Sequence, residues 1–234
     1  MSDLKKKGAA EDRELASAIG ANLISLPSDP YSTYVYGCSP NKGGNSDFAS
    51  LLIEGELGDM GVDFDGTFLR EHKINPCKGC QACVNPARLG KLCVFSGKDD
   101  GEKLFDPLLG SKTLFFVAPI YFYHLPALFK GLIDRCQPYW SLRRQGHALL
   151  NSLPRRKAHV VLLCAREKGE KMFQGSLLTL RFFLEPFNIE LAEPLLLRGL
   201  EGATDLASDR NAQEELIRYV RQACQNLDAG LEGK

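Results

Sequence analysis

Four of the chain's eight cysteines, Cys77, Cys80, Cys83 and Cys93, lie close together in "INPCKGCQACVNPARLGKLCVF", residues 74–95. The order C-x2-C-x2-C-x9-C is close to the ferredoxin type, in which three near thiolates take three corners of a [4Fe–4S] cube and a fourth arrives from farther along. Gaps of two residues give each sulfur its own iron while the backbone curls around the cube. A structural zinc site splits its ligands into two distant pairs, so three thiols at this pitch favour iron over zinc. A redox pair of thiols and ordinary buried thiols remain the alternatives. Cys136, Cys164 and Cys224 read as small buried hydrophobes.

Two further stretches carry ligand chemistry. "GCSPNKGGNS" (37–46) offers the side chains of Ser39, Asn45 and Ser46, with Gly43 and Gly44 permitting close backbone approach at the start of a helix. Unpaired N–H groups and a partial positive charge at such a terminus suit a phosphate. The loop lacks both the Walker lysine and the three spaced glycines of a dinucleotide site, so it reads as a mononucleotide phosphate site or, more plainly, as a tight capped turn. "APIYFYHLP" (118–126) sets Tyr121, Phe122 and Tyr123 just past an apolar strand, where rings and backbone amides could hold a flat heteroaromatic group. A crevice with a phosphate end and a flat-ring end favours flavin mononucleotide (FMN) over an adenine nucleotide. His124, beside the ring loop, could donate a proton there, although capping is the commoner role for a histidine that opens a helix.

These stretches need a scaffold. The 234 residues suffice for one sizeable domain, and the 29 basic and 29 acidic residues balance without long like-charge blocks, which argues against a nucleic-acid partner. The N-terminus has no apolar core followed by a small-residue cleavage site, so a cytoplasmic, reducing setting is expected. The apolar run 114–133 is long enough for a membrane helix, but Pro119 and Pro126 divide it into a strand, a loop and a helix, and no membrane partner is expected. Residues 1–30 form an N-terminal extension with a short helix near 10–20. A single domain covers 31–234.

Within that domain strands are expected at 33–38, 62–72, 112–119, 157–165 and 189–199. Helices are expected at 45–61, with Asn45 or Ser46 as N-cap, at 99–111, interrupted by Pro107, and at 126–139, 171–186 and 208–228. Five such βα units make an α/β doubly wound sheet whose ligands sit beyond the carboxyl ends of the strands, at loops 38–46, 119–125 and 165–171.

"YGCSPNKGGNS", "INPCKGCQAC", "LCVFSGKDD" and "VAPIYFYHLPALFKGLIDR", in that order, resemble the flavodoxin-like NADPH-dependent FMN reductase family, most closely its iron–sulfur flavoprotein branch. The resemblance implies a flavodoxin-like, five-stranded parallel sheet in the order 2-1-3-4-5 with the cysteine-rich segment 74–98 inserted as a loop. It implies that Ser39, Pro40, Asn41, Gly44, Asn45 and Ser46 surround the FMN phosphate. Pro119, Ile120, Tyr121, Phe122 and Tyr123 would border the isoalloxazine ring, with Cys164 opening the third loop beside it. It makes Cys77, Cys80, Cys83 and Cys93 ligands of a [4Fe–4S] cluster.

The implied activity is that of a flavin-dependent oxidoreductase passing electrons between FMN and the cluster. NAD(P)H or a reduced redox carrier would be the donor, in a homodimer or homotetramer whose subunits share clusters. The alternatives are a cluster-free NAD(P)H-dependent FMN or quinone reductase and a zinc-binding assembly module without flavin. The chain departs from the family pattern at Asn41, where arginine is common, at Cys38, where a small residue is usual, in the glycine-poor third loop, and in the long gap before Cys93.

Overall fold

A computed structural model describes residues 23–28, 30–84 and 89–228, so the helix expected near 10–20 lies outside the described residues. In chain order the elements are β1 (Thr33–Gly37), α1 (Asn45–Asp59), β2 (Phe64–Phe68), α2 (Asp106–Gly110), β3 (Thr113–Pro119), α3 (Ala127–Asp134), α4 (Gln137–Arg144), α5 (Ala148–Ser152), β4 (Arg156–Leu163), α6 (Gln174–Leu184), β5 (Ile189–Leu191), β6 (Leu195–Leu197), α7 (Asp205–Ser208) and α8 (Arg210–Asp228). The sheet is parallel throughout, in the order β2-β1-β3-β4-β5 with β6 also on β4. The fold is therefore the expected flavodoxin-like doubly wound sheet.

The strand expected over 189–199 is two short strands. Leu191 pairs with Ala158 and Leu195 with Val161, so four steps on one side answer three on the other. One extra residue is a bulge, placed where Pro194 has no N–H to give the ladder. The helix expected over 126–139 is likewise two. Pro138 lacks the N–H that would bond the Asp134 carbonyl, and its ring would clash with it, so α3 ends at Asp134 and the chain turns through Arg135 and Cys136. Pro107 does not interrupt its helix but starts it, in the first turn of α2.

The central strand β3 has no exposed face, which is why it reads as an unbroken apolar run. Leu114, Phe116 and Ala118 face a core with Phe129, Tyr139, Phe183 and Phe187, while Phe115 and Val117 face Ile53, Leu57, Leu216 and Val220. Helices on both sides thus clamp the sheet. The loops at its carboxyl edge are left to solvent.

Candidate functional site

The first loop folds as the β1–α1 connection. Its N-cap is Gly44, not Asn45 or Ser46, and no side chain caps the helix. Gly43 stands at φ +76°, and a Cβ built on Gly43 or Gly44 would meet only open space, so no side chain crowds either glycine. Ser39 is buried, and its hydroxyl accepts from the Asn41 N–H at 3.2 Å. Pro40 and Asn41 are exposed on the rim. Ser46 is buried at the start of α1.

Asn45 is committed elsewhere: its amide donates to the Gly202 carbonyl at 2.7 Å and its oxygen accepts from the Leu206 N–H at 2.9 Å. Sequence reasoning missed two neighbours of this loop. Asp47 accepts from the Gly43 N–H at 2.7 Å, and its other oxygen pairs with Arg70 at 2.7 Å. Arg70 comes from just beyond β2 and lies 4.1 Å over the Phe68 ring. An arginine thus reaches the loop from a different strand, although position 41 carries none.

The second loop is a tight turn in which Tyr121 and His124 exchange both backbone hydrogen bonds at 2.9 Å. Its two central residues, Phe122 at φ +49° and Tyr123 at φ +64°, are left-handed, a conformation that costs a non-glycine residue roughly 1–2 kcal/mol. Phe122 is fully exposed at 103%. The two loops meet directly, because the Asn41 amide donates to the Tyr121 hydroxyl at 3.1 Å. Pro119 and Ile120 continue β3 into the turn, and the Ile120 N–H donates to the Leu163 carbonyl at 2.8 Å. The His124 ring lies 3.2 Å from the Thr179 hydroxyl on α6, which anchors it to the fold.

The third loop also closes on this place. A Cβ on Gly169 would lie 3.5 Å from the Tyr123 hydroxyl. Cys164 is buried at its start, with its N–H donating to Leu197 and its thiol to the Arg166 carbonyl at 3.3 Å. Burial pushes that thiol up, against smaller opposing effects of Arg198 and the backbone. Cys38, Cys136 and Cys224 are buried, as small hydrophobes would be.

The four clustered cysteines line one pocket, together with Phe95 and Arg135. Each two-residue gap contains a left-handed residue, Gly79 at φ +67° and Gln81 at φ +58°, which curls the chain around the pocket that the thiols line. Burial pushes the Cys83 thiol up, and the other three cysteines are near enough to add to the shift. Among the described residues no three His, Cys, Asp or Glu side chains converge closely enough to grip a single metal ion.

A neck of hydrogen bonds closes the loop. Lys73 and Asp100 exchange two, at 3.0 and 2.9 Å, and the Asn75 N–H donates to Asp99 at 2.8 Å. Into this neck Arg135 inserts from the α3–α4 break, pairing with Asp99 at 2.7 Å and donating to the Asn75 carbonyl at 2.9 Å. Burial works against the Asp99 carboxylate, but Arg135 and backbone N–H groups hold it below its usual range. No pattern in "GLIDR" announces this role, since Asp99 is 36 residues away. The pocket and the aromatic turn stand at opposite ends of α3, whose eight residues span about 12 Å.

The NADPH-dependent FMN reductase family model matches residues 35–167, which include the first two loops, the cysteine segment and the start of the third loop. An iron–sulfur flavoprotein of Methanosarcina thermophila is 31% identical over 118 residues, 49% of this chain and 56% of that protein. One from Archaeoglobus fulgidus is 32% identical over 97 residues, 42% of this chain and 44% of that protein. The matched stretch thus spans about half the length of these curated relatives. An FMN-dependent NADH-azoreductase of Bacillus anthracis, solved in complex with FMN, superposes with a TM-score of 0.58 over 81% of this chain and 98% of its own at 12% identity, a likeness of fold. The chain belongs to the NADPH-dependent FMN reductase family.

Proposed function

We propose that this member of the NADPH-dependent FMN reductase family is an FMN-dependent oxidoreductase that exchanges electrons between the flavin and a [4Fe–4S] cluster held by Cys77, Cys80, Cys83 and Cys93. The observation that carries the flavin half is the junction of an uncapped helix N-terminus with a strained aromatic turn, joined by the Asn41–Tyr121 hydrogen bond. The phosphate would be held by the backbone N–H groups at the start of α1, with Ser39, Asn41 and Ser46 around it and Arg70 supplying positive charge nearby. The ring would lie against Pro119 to Tyr123, with Cys164 and the third loop at its other side. The Asn45 amide, tied to Gly202, would hold the loop in shape and not touch the phosphate.

When bound, FMN would supply the redox chemistry, accepting electrons from NAD(P)H or a reduced carrier and passing them on. The chain's own work is to position it: no acid or base is required, and His124 is bound to Thr179. For the cluster, the support is that four thiols at ferredoxin-like spacing line one pocket. Three thiols at a two-residue pitch suit a cube better than the two distant ligand pairs of a structural zinc site. The zinc module is accordingly the weakest reading. A cluster-free NAD(P)H-dependent FMN or quinone reductase is the second, favoured by the exposure of Cys77 and Cys80.

A homodimer or homotetramer belongs to the proposal, and the exposed Phe122, Trp140 and Phe182 are candidate surfaces for it. Among the described residues no helix is long and apolar enough to cross a membrane. Anaerobic purification tests the whole reading. Flavin released on denaturation together with about four irons and as many acid-labile sulfides per chain supports it. Flavin without iron supports the second reading, and a colourless zinc protein overturns both.

A further inference from the structure

We propose that Arg135 is a positioning residue for the four-cysteine site, donating a hydrogen bond and placing a buried positive charge toward the Cys93 side of a bound cluster, and thereby raising the cluster's reduction potential. The inference rests on the cluster reading above. It concerns a residue whose sequence context assigns it no task.

Arg135 is 4% exposed and lines the pocket with all four thiols. Its terminal nitrogens are spent on Asp99, at 2.7 and 3.3 Å, and on the Asn75 carbonyl. Its Nε–H is different: it is buried and has no acceptor among the described residues. A buried donor without a partner forfeits its hydration with nothing in return, so folded proteins rarely leave one without a reason. If clamping the neck of the loop were the only role, the two terminal nitrogens would be enough. The unused donor belongs to a residue that borders the cavity, and sulfur is the acceptor chemistry that cavity offers.

Two further observations agree. The Cys93 thiol stands beside the guanidinium. The Phe95 ring lies 5.0 Å beneath the guanidinium and covers it from water, which keeps its field from being screened. Gly101 makes room, since a Cβ there would stand 3.2 Å from Nη1.

A cube bound by four thiolates is anionic and becomes more so when it gains an electron. A nearby cation and a hydrogen bond to sulfur therefore favour the reduced form, while Asp99, sharing the guanidinium, works as a counterweight. Removing the arginine should lower the potential, and neutralising Asp99 should raise it.

The test uses the full chain, reconstituted anaerobically and titrated with dithionite, which gives one electron to each cluster as it is oxidised to sulfite. Iron, sulfide and midpoint potential are measured on wild type, Arg135→Gln, Arg135→Lys and Asp99→Asn. At wild-type iron content, Arg135→Gln should disfavour reduction about tenfold, a drop of about 59 mV for one electron, and Arg135→Lys should recover most of it. Asp99→Asn should shift the potential upward by a few-fold in the same equilibrium. An unchanged potential in a fully loaded Arg135→Gln protein overturns the proposal. Should Arg135→Gln fail to fold, an Asp99→Asn potential that stays put or falls overturns it equally. A wild-type chain that takes up neither iron nor sulfide refutes the cluster reading and this inference together, whereas a loaded wild type with unmoved variants refutes the arginine's role alone.

Discussion

Phe122 offers a way to separate function from stability at a single position. Its side chain touches no core and its backbone is left-handed, so the fold gains nothing from it and bears a strain of roughly 1–2 kcal/mol. In Phe122→Gly that strain disappears, while the extra freedom of glycine in the unfolded chain takes back about 0.4–1 kcal/mol. The net change in stability should be small and, if anything, favourable, up to about 1.5 kcal/mol. If the phenyl face covers the flavin ring, the same change removes the burial of an aromatic side chain, about 1.5–3 kcal/mol. The FMN dissociation constant should then rise about 10–100-fold. Fluorescence titration of FMN and urea unfolding of the flavin-free protein measure the two quantities separately. Phe122→Asn, which tolerates the same backbone but has no ring, should behave like the glycine variant for flavin. A clear loss of stability with unaltered FMN affinity would refute the reasoning, because the turn would then be strained for the sake of the fold.

Other consequences can be checked with similar effort. Breaking the Asp47–Arg70 pair by Arg70→Gln leaves a buried carboxylate beside the first loop, so affinity for FMN should fall about tenfold while that for riboflavin, which has no phosphate, changes far less. His159, stacked on Phe115 at 5.2 Å and edge-on to Tyr219 at 5.7 Å, is lowered to about 4 by burial and, secondarily, by Lys157. The unfolded chain binds that proton near pH 6.5, so this contribution is complete above about pH 6.5 and is lost as pH falls toward 4, at most about 3 kcal/mol. Urea midpoints across that range should slope for wild type and flatten for His159→Phe. Arg156 donates from the core to the carbonyls of Leu108, Ser111 and Phe187 at 2.7–3.0 Å, and Arg156→Met should cost about 3–5 kcal/mol in unfolding experiments.

The pattern of these residues explains what could be read from the chain in advance. β3 declares itself because both its faces are buried, and "NSDFASLLIEGELGDMG" declares α1 because an open glycine pair precedes it. The four cysteines could be grouped because their chemistry depends on local pitch. Arg135, Arg70 and the Asn45 clamp could not, because each acts on a partner that only the tertiary fold brings near: Asp99, Asp47 and Gly202. The break between α3 and α4 was masked by apolar spacing that continues through Cys136, although Pro138 announced it four residues after Asp134. The bulge between β5 and β6 was masked in the same way by leucines on both sides of a proline.

The Asn45 hydrogen bonds carry a last consequence. The family match ends at residue 167, yet the first loop is tied to Gly202 and Leu206, and α1 is tied to α8 by the Arg221–Glu56 pair at 2.6 Å. Whatever occupies the loop and whatever loosens the C-terminal helices are therefore coupled, and the coupling free energy is the same in both directions. Amide exchange at Leu206, whose N–H is held by the Asn45 side chain, should slow when the loop is filled. A chain cut back to the matched residues would lose that reporter and the rigidity of the loop together.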